Sequence, residues 1–188
     1  MCGIVGYIGD KEAEDLLLTG LKRLEYRGYD SAGLATVNGD VLHVQKQEGK
    51  VDDLRNSLNG SPVDGTTGVG HTRWATHGAP NDANAHPHAS TDGSFALVHN
   101  GIIENHGVIK ERLEEKGYTF QSETDTEVLV YLIEEVQRET DLSLPEAVRQ
   151  ALTQIVGAYG IALVSREDPD LLIAARNGSP LILGVGDG

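Results

Sequence analysis

The chain contains a series of short apolar runs, rich in β-branched residues and bounded by glycine or polar residues, and these runs limit the folds available to it. Each run is too short for a typical buried helix, so the series predicts strands. The runs cover Gly3–Ile8, Leu34–Val37, Val41–Val44, Val69–Thr72, Phe95–His99, Ile161–Val164, Leu171–Ala174 and Leu181–Val185. Asn38-Gly39-Asp40 joins the second run to the third and predicts a hairpin turn.

Apolar residues at helical spacing predict helices between these strands. The helical patterns run from Lys11 to Leu24, from Asn105 to Lys116, from Leu129 to Val136 and from Ala147 to Ile155. A polar stretch, Leu54–Thr67, is predicted as a loop. Strand pairs that flank one or two helices predict an α+β fold in layers, with two antiparallel sheets packed together and helices outside.

Length and charge limit the classes of function. The 188 residues suffice for one sizeable domain, and no apolar stretch has the length of a membrane span. The net charge of −14 argues against nucleic-acid binding, which requires a basic face. The acidity fits either a surface adapted to high salt or an ordinary acidic protein. Because the single cysteine cannot form an internal disulfide, a reducing cytoplasm is the expected location.

Four polar clusters lie at predicted strand ends or in loops, where catalytic groups are usually presented. They are Cys2-Gly3, His71–Gly78, His99–Gly101 with Glu104-Asn105, and Ser122–Glu127. Together they supply a thiol, a guanidinium, an amide beside a glycine, and carboxylates. These are the parts of an acyl-transfer site for a zwitterionic substrate.

Cys2 has two interpretations. If Met1 is removed, the thiol and a free α-amine lie on one residue, and the amine, with a pKa of roughly 7.7–8.0, could accept the thiol proton. Gly3 would let substrate approach the backbone closely. Alternatively, Cys2 is a small apolar residue that begins a strand.

The other candidates also have structural alternatives. Arg73 could bind a carboxylate with two parallel hydrogen bonds or form a surface ion pair, and Trp74 alone is more typical of core packing. Asn100-Gly101 could supply two donors to an oxyanion, or simply form a turn. Asp125 could face a ligand ammonium or cap a helix.

The histidines raise the question of a metal site. They include His86-Pro87-His88, together with His71, His77, His99 and His106. Two histidines in an HxH arrangement can chelate, but neither an HExxH nor a CxxC motif accompanies them. A catalytic metal is therefore not expected.

Taken together, the motifs resemble the class II glutamine amidotransferases, which use an N-terminal cysteine nucleophile. The matching stretches are MCGIVGYIG, LKRLEYRGYDSAGLA, GHTRWATHG, NAHPH, HNGIIEN, GYTFQSETDTEV, GAYG and ARNGSPL. The resemblance implies an Ntn-hydrolase αββα four-layer sandwich over residues 1–188, with no metal or organic cofactor. It also implies that L-glutamine is the substrate.

The resemblance implies roles for individual residues. Cys2 would attack the glutamine side-chain amide, Asn100 and the Gly101 N–H would form the oxyanion hole, and Arg73 and Asp125 would hold the α-carboxylate and the α-ammonium. The substrate pocket would also include four further residues. These are Trp74 in its closing element, Thr76, His77 and Arg27.

HTRWATHG, NAHPH and SETDTE resemble the branch of this family that transfers nitrogen to fructose-6-phosphate. In that branch sugar-isomerase domains follow and form a homodimer. The resemblance therefore implies a domain truncated at its C-terminal end and unable to complete the synthase reaction alone. Two alternatives remain: a truncated module that binds glutamine or a partner with little turnover, and the glutaminase domain of a related amidotransferase.

Overall fold

The computed structural model describes residues 2–60, 63–74 and 78–186. Within these ranges, eight strands and five α-helices follow one another. The strands are β1 (Gly3–Ile8), β2 (Ser31–Asn38), β3 (Val41–Glu48), β4 (Thr67–Arg73), β5 (His88–Ala89), β6 (Phe95–Ile103), β7 (Gly157–Ser165) and β8 (Asp168–Asn177). The helices are α1 (Ala13–Leu24), α2 (Val51–Ser57), α3 (His106–Glu115), α4 (Asp125–Thr140) and α5 (Leu144–Leu152), and a 3-10 turn, Glu25–Arg27, follows α1.

The strands form two four-stranded sheets with antiparallel pairing throughout. One sheet has the order β1-β4-β2-β3 and the other has the order β5-β6-β7-β8. In the first sheet Gly3 pairs with Thr72 and Ser31 pairs with Arg73. This register brings the start of the chain beside the end of β4.

Three apolar clusters fill the spaces between the layers. Leu17, Leu21 and Leu54 belong to the cluster beneath α1 and α2. A second cluster joins α3, α4 and α5 to the sheet containing β6 and β7. Small side chains such as Ala35 and Ala96 fill the space between the two sheets. The predicted α+β arrangement, with two antiparallel sheets between helical layers, is confirmed.

Two sequence predictions are wrong. Residues 181–185 form no strand with any described part of the chain, and Ile182 is 91% exposed. An apolar run becomes a strand only where a neighbour accepts its backbone hydrogen bonds. The predicted loop Leu54–Thr67 begins inside α2, because Val51 and Leu54 both face the core.

The other predicted elements are present, β1 with its predicted ends and the rest with shifted ends. The strand predicted at Phe95–His99 continues to Ile103, so the Asn-Gly dipeptide lies inside a strand and not in a turn. Within the described ranges, no helix has both the length and the apolar composition needed to cross a membrane.

The packing of α4 generates a stability prediction. Leu132 is fully buried in the cluster between α4 and the second sheet. We expect Leu132→Ala to lower the free energy of unfolding by about 2–5 kcal/mol, because it removes buried methyl groups and leaves a cavity. Urea denaturation followed by circular dichroism would measure the change.

Val108→Ala provides the control, because Val108 is 72% exposed. Its effect should remain within about 0.5 kcal/mol. Equal losses for the two variants would contradict the packing described for α4.

Candidate active site

One cleft, with a volume of about 810 Å³, gathers most of the candidate residues. It lies where β1 begins, where β4 ends and where α4 begins. Its lining includes Cys2, Arg73, Trp74, Asn100, Gly101, Asp125 and Arg27. Candidate residues that lie as far apart in the sequence as about two thirds of its length, such as Cys2 and Asp125, thus line the same cleft.

Cys2 is held against the end of β4. Its Sγ accepts a hydrogen bond from the Trp74 backbone N–H at 3.2 Å. Burial raises the pKa of the Cys2 thiol, and the Trp74 N–H opposes that effect because it stabilises the thiolate. The thiol therefore needs a nearby base to become a nucleophile at neutral pH.

Asn100 touches the Cys2 backbone directly. Its Nδ2 donates to the Cys2 carbonyl oxygen at 3.1 Å, and its Oδ1 lies 2.8 Å from Nε2 of His71. The adjacent Gly101 has φ of +141°, and a Cβ there would lie 2.0 Å from the Ala158 carbonyl oxygen. Only glycine fits this position, and it leaves the backbone exposed to the cleft beside the Asn100 amide.

Asp125 begins α4 but is not its capping residue. The Thr124 side chain accepts from the Glu127 N–H and so caps the helix. One Asp125 oxygen, Oδ2, accepts the Ile103 N–H at 2.8 Å, and Oδ1 lies 3.9 Å from Nδ1 of His99. A buried carboxylate is thus fixed at the cleft wall, at the positive end of a helix dipole.

Arg73 is buried, with only 4% of its surface exposed, so it is not the surface ion pair considered above. Its guanidinium donates to the carbonyl oxygens of Gly78 and Ala79 at 3.3 and 3.4 Å. Asp30 lies 3.9 Å from Nη1. These contacts hold a planar cation at the cleft wall, where it suits a carboxylate.

Trp74 lies at the rim of the cleft and is 47% exposed, so the core-packing alternative is wrong. Tyr29 meets it edge to face, with ring centroids 5.3 Å apart. Arg27 also lies at the rim, where its Nε donates to the Tyr26 hydroxyl at 3.0 Å. Thr76 and His77, also predicted as pocket residues, lie outside the described residues.

Four histidines, His71, His86, His88 and His99, are buried at the cleft, and two of them, His86 and His99, belong to its lining. Burial lowers the pKa of His71 to about 3 and lowers those of His86 and His88 well below their ordinary value. Burial also lowers the pKa of His99, although the Asp125 carboxylate opposes that shift. These rings are therefore neutral at physiological pH. Across the described part of the chain, no group of three or more potential ligands is arranged to hold a metal.

Sequence reasoning missed two residues that shape the site. It named His71 only as a member of the His71–Gly78 cluster and as a possible metal ligand, yet the ring contacts Asn100. It gave Gly28 no role, yet a Cβ there would lie 2.7 Å from the Arg73 carbonyl. The sequence signal for Gly28 was its place in EYRGYD, directly after the 3-10 turn that follows α1. His71 carried no local signal beyond its place in HTR.

Comparison with known proteins places this geometry in a family. A model of the glutamine amidotransferase domain matches residues 71–187. Curated relatives named glutamine–fructose-6-phosphate aminotransferase (isomerizing) are 55% identical in Chlorobaculum tepidum and 52% identical in Thermococcus kodakarensis. Each match covers all of this chain, which spans 31% of the length of either relative.

Two solved structures also resemble this chain. Glutamine phosphoribosylpyrophosphate amidotransferase from B. subtilis matches with a TM-score of 0.77 and 30% identity, over 88% of this chain and 35% of its own. An allosteric regulatory enzyme of purine biosynthesis matches with a TM-score of 0.78 and 31% identity, over 88% of this chain and 36% of its own. The expected Ntn-hydrolase fold is thereby confirmed. The chain belongs to the glutamine amidotransferase family.

Proposed function

We propose that this chain hydrolyses L-glutamine to glutamate and ammonia through a thioester on Cys2. The observation that carries the proposal is the convergence on one cleft of a thiol, a side-chain amide beside an exposed glycine, a buried guanidinium and a buried carboxylate. An α-amino acid is bound through its α-carboxylate by a cationic side chain and through its α-ammonium by an anionic one. Its side-chain amide then needs a nucleophile and oxyanion donors.

In the proposed reaction, removal of Met1 frees the α-amine of Cys2, which takes the thiol proton directly or through water. The thiolate attacks the side-chain carbonyl carbon, and the negative charge on oxygen is stabilised by the Asn100 amide and the Gly101 N–H. The C–N bond breaks as the leaving nitrogen takes the proton, and ammonia departs. Water then attacks the thioester, which releases glutamate and restores the thiol.

The proposed binding mode assigns the substrate's charged ends to opposite partners. Arg73 pairs with the α-carboxylate and Asp125 pairs with the α-ammonium. Arg27 and Trp74 act at the rim, and Trp74 gates the entrance. Arg73 and Asp125 are both largely buried, so water screens their charges little.

We further propose that the ammonia serves the conversion of fructose-6-phosphate to glucosamine-6-phosphate. The names and the 50–55% identity of the curated relatives support this assignment. In the proposed full enzyme, sugar-isomerase domains receive the nitrogen and form a homodimer, in the cytoplasm. The phosphoribosylpyrophosphate amidotransferase alternative is weaker, because its identity to this chain is 30%.

The first test measures glutamate production from glutamine, combined with intact-mass analysis before and after an electrophilic glutamine analogue. We expect turnover, loss of Met1 and one adduct on Cys2. Cys2→Ala should lower turnover by at least about a thousandfold, because it removes the nucleophile. A folded protein that lacks Met1 and shows neither turnover nor adduct would support the binding-only alternative instead.

A short N-terminal tag that retains Met1 should also abolish turnover, because the α-amine of Cys2 would then be an amide. The same tag at the C-terminal end is the control. Equal activity in the two tagged forms would contradict the role of the α-amine.

Asp125→Asn separates the charge of Asp125 from its structural contact. Asparagine can still accept the Ile103 N–H through Oδ1, but it no longer attracts an ammonium group. We expect KM for glutamine to rise about 10- to 100-fold, as is typical for loss of a charged hydrogen bond. Steady-state kinetics and thermal unfolding would measure the two effects.

Asp141→Asn is the matched control, because Asp141 is an exposed residue at the end of α4 with φ of 53°. Asparagine tolerates that backbone conformation. The KM of the Asp141→Asn variant for glutamine should therefore not change. An unchanged KM for Asp125→Asn would refute the proposed contact with the ammonium group.

The pH dependence provides an independent test of the base. We expect kcat/KM to rise between pH 6 and 8 as the α-amine, with an ordinary pKa of roughly 7.7–8.0, loses its proton. The four buried histidines should add no step there, because burial lowers their pKa values, that of His71 to about 3, and the rings are already neutral. A rate independent of pH over this range would contradict the amine as base.

A further inference from the structure

His71 is a buried titratable group that the proposed reaction does not use. Its ring lies on β4, on the side of Asn100 opposite the contact with Cys2, and it is fully buried. Its Nε2 lies 2.8 Å from Oδ1 of Asn100 and 3.3 Å from Nδ1 of His86. The ring therefore touches a proposed oxyanion donor but not the substrate position.

The orientation of the Asn100 amide follows from its other contact. The Cys2 carbonyl oxygen can only accept, so the group facing it at 3.1 Å must be the amide nitrogen Nδ2. The amide oxygen then faces His71. This orientation also leaves the second N–H of Asn100 available to the cleft, which Asn100 lines.

The orientation of Asn100 determines the tautomer of His71. Two lone pairs 2.8 Å apart would repel, so Nε2 must carry the proton and donate it to the Asn100 oxygen. The remaining ring nitrogen, Nδ1, is then only an acceptor. This nitrogen is buried and has no hydrogen-bond partner. A buried acceptor without a partner costs less folding free energy than a buried N–H without one.

One neighbour favours the opposite tautomer. The backbone of His99 interacts with the His71 ring and favours a proton there. If that proton were on Nδ1, however, Nε2 and the Asn100 oxygen would face each other as two acceptors. The 2.8 Å contact with Asn100 decides for Nε2–H, because the other tautomer would leave two acceptors facing each other at that distance.

We propose that His71 is a positioning residue for glutamine hydrolysis: it donates from Nε2 to Asn100 Oδ1 and holds the amide N–H groups toward Cys2 and the oxyanion. This inference rests on the proposed function. An amide free to flip would present its oxygen to the developing negative charge in part of the population. Stabilisation of the transition state would then fall.

The surroundings of His71 hold the ring in place. His86 packs on it with ring centroids 4.3 Å apart. The His86 carbonyl lies so close to β2 that a Cβ at Gly33 would approach it to 2.2 Å. A ring fixed by a neighbouring ring, which is itself held against a strand, can fix the orientation of Asn100 in turn.

The tautomer is measurable without turnover. Nitrogen NMR of the folded chain labelled with ¹⁵N-histidine, assigned with His71→Gln, should show a protonated Nε2 and a bare Nδ1 for His71. The reverse pattern, or a rapid average of the two, would overturn the proposal. This measurement does not depend on catalysis. It therefore reports the His71 tautomer even if the chain fails to hydrolyse glutamine.

Two polar variants test the effect on catalysis. In His71→Gln the side-chain amide nitrogen reaches the place of Nε2, whereas in His71→Asn it reaches only the place of Nδ1. We expect His71→Asn to lower kcat about 10- to 100-fold with KM within about threefold, since loss of one oxyanion donor costs about 100- to 1,000-fold. His71→Gln should remain within about threefold of the unmodified chain.

Tyr131→Phe controls for general destabilisation, because it removes a buried hydroxyl that donates to Glu127 at 3.0 Å, away from the cleft. Its kcat should not change. A glutamate γ-aldehyde, which forms a tetrahedral adduct with the thiol, should lose affinity for His71→Asn in parallel with kcat, while glutamate affinity stays constant.

Equal kcat in the two His71 variants, or a loss confined to KM, would overturn the proposal. An inactive unmodified chain would instead contradict the proposed function and leave the tautomer measurement to decide the placement of Asn100. If His71→Asn does not fold, the same NMR measurement decides.

Discussion

The antiparallel ladder between β1 and β4 is the constraint on which the site depends. Pairing of Gly3 with Thr72 brings Cys2 against the Trp74 N–H and beside Arg73. Side chains alternate between the two faces of a strand, so a shift of one residue would move each of these groups to the opposite face. A thiol at the start of the chain and a guanidinium 71 positions later therefore share one cleft because of backbone register.

The second sheet completes this arrangement because it packs face to face on the first. Small residues between the sheets, such as Ala35 and Ala96, allow β4 and β6 to approach closely. The close packing brings Asn100 on β6 within hydrogen-bonding distance of the Cys2 carbonyl and of His71 on β4. It also buries the histidines, which lowers their pKa values and keeps them neutral, so that they can orient hydrogen bonds without adding charge near the thiol.

Sequence reasoning predicted the layered fold and the candidate residues of the cleft, and it failed where tertiary contacts decide. The β1 run was predicted with its observed ends, because an apolar run bounded by Gly9-Asp10 is a local signal. Leu181–Val185 has the same local signal but lacks a partner strand among the described residues. Asn100-Gly101 resembled a turn, and its place inside β6 depends on pairing with β7. The contact between His71 and Asn100 joins two sheets, and no local pattern encodes it.

In the proposed reaction the side chain of Cys2 carries the γ-glutamyl group during turnover. Acid quenching of the chain during steady-state hydrolysis of isotopically labelled glutamine, followed by peptide mapping, would detect that group. We expect one labelled γ-glutamyl group on the peptide that begins with Cys2, absent from Cys2→Ala. Continued turnover with no label on that peptide, or with the label on another residue, would contradict the proposed reaction.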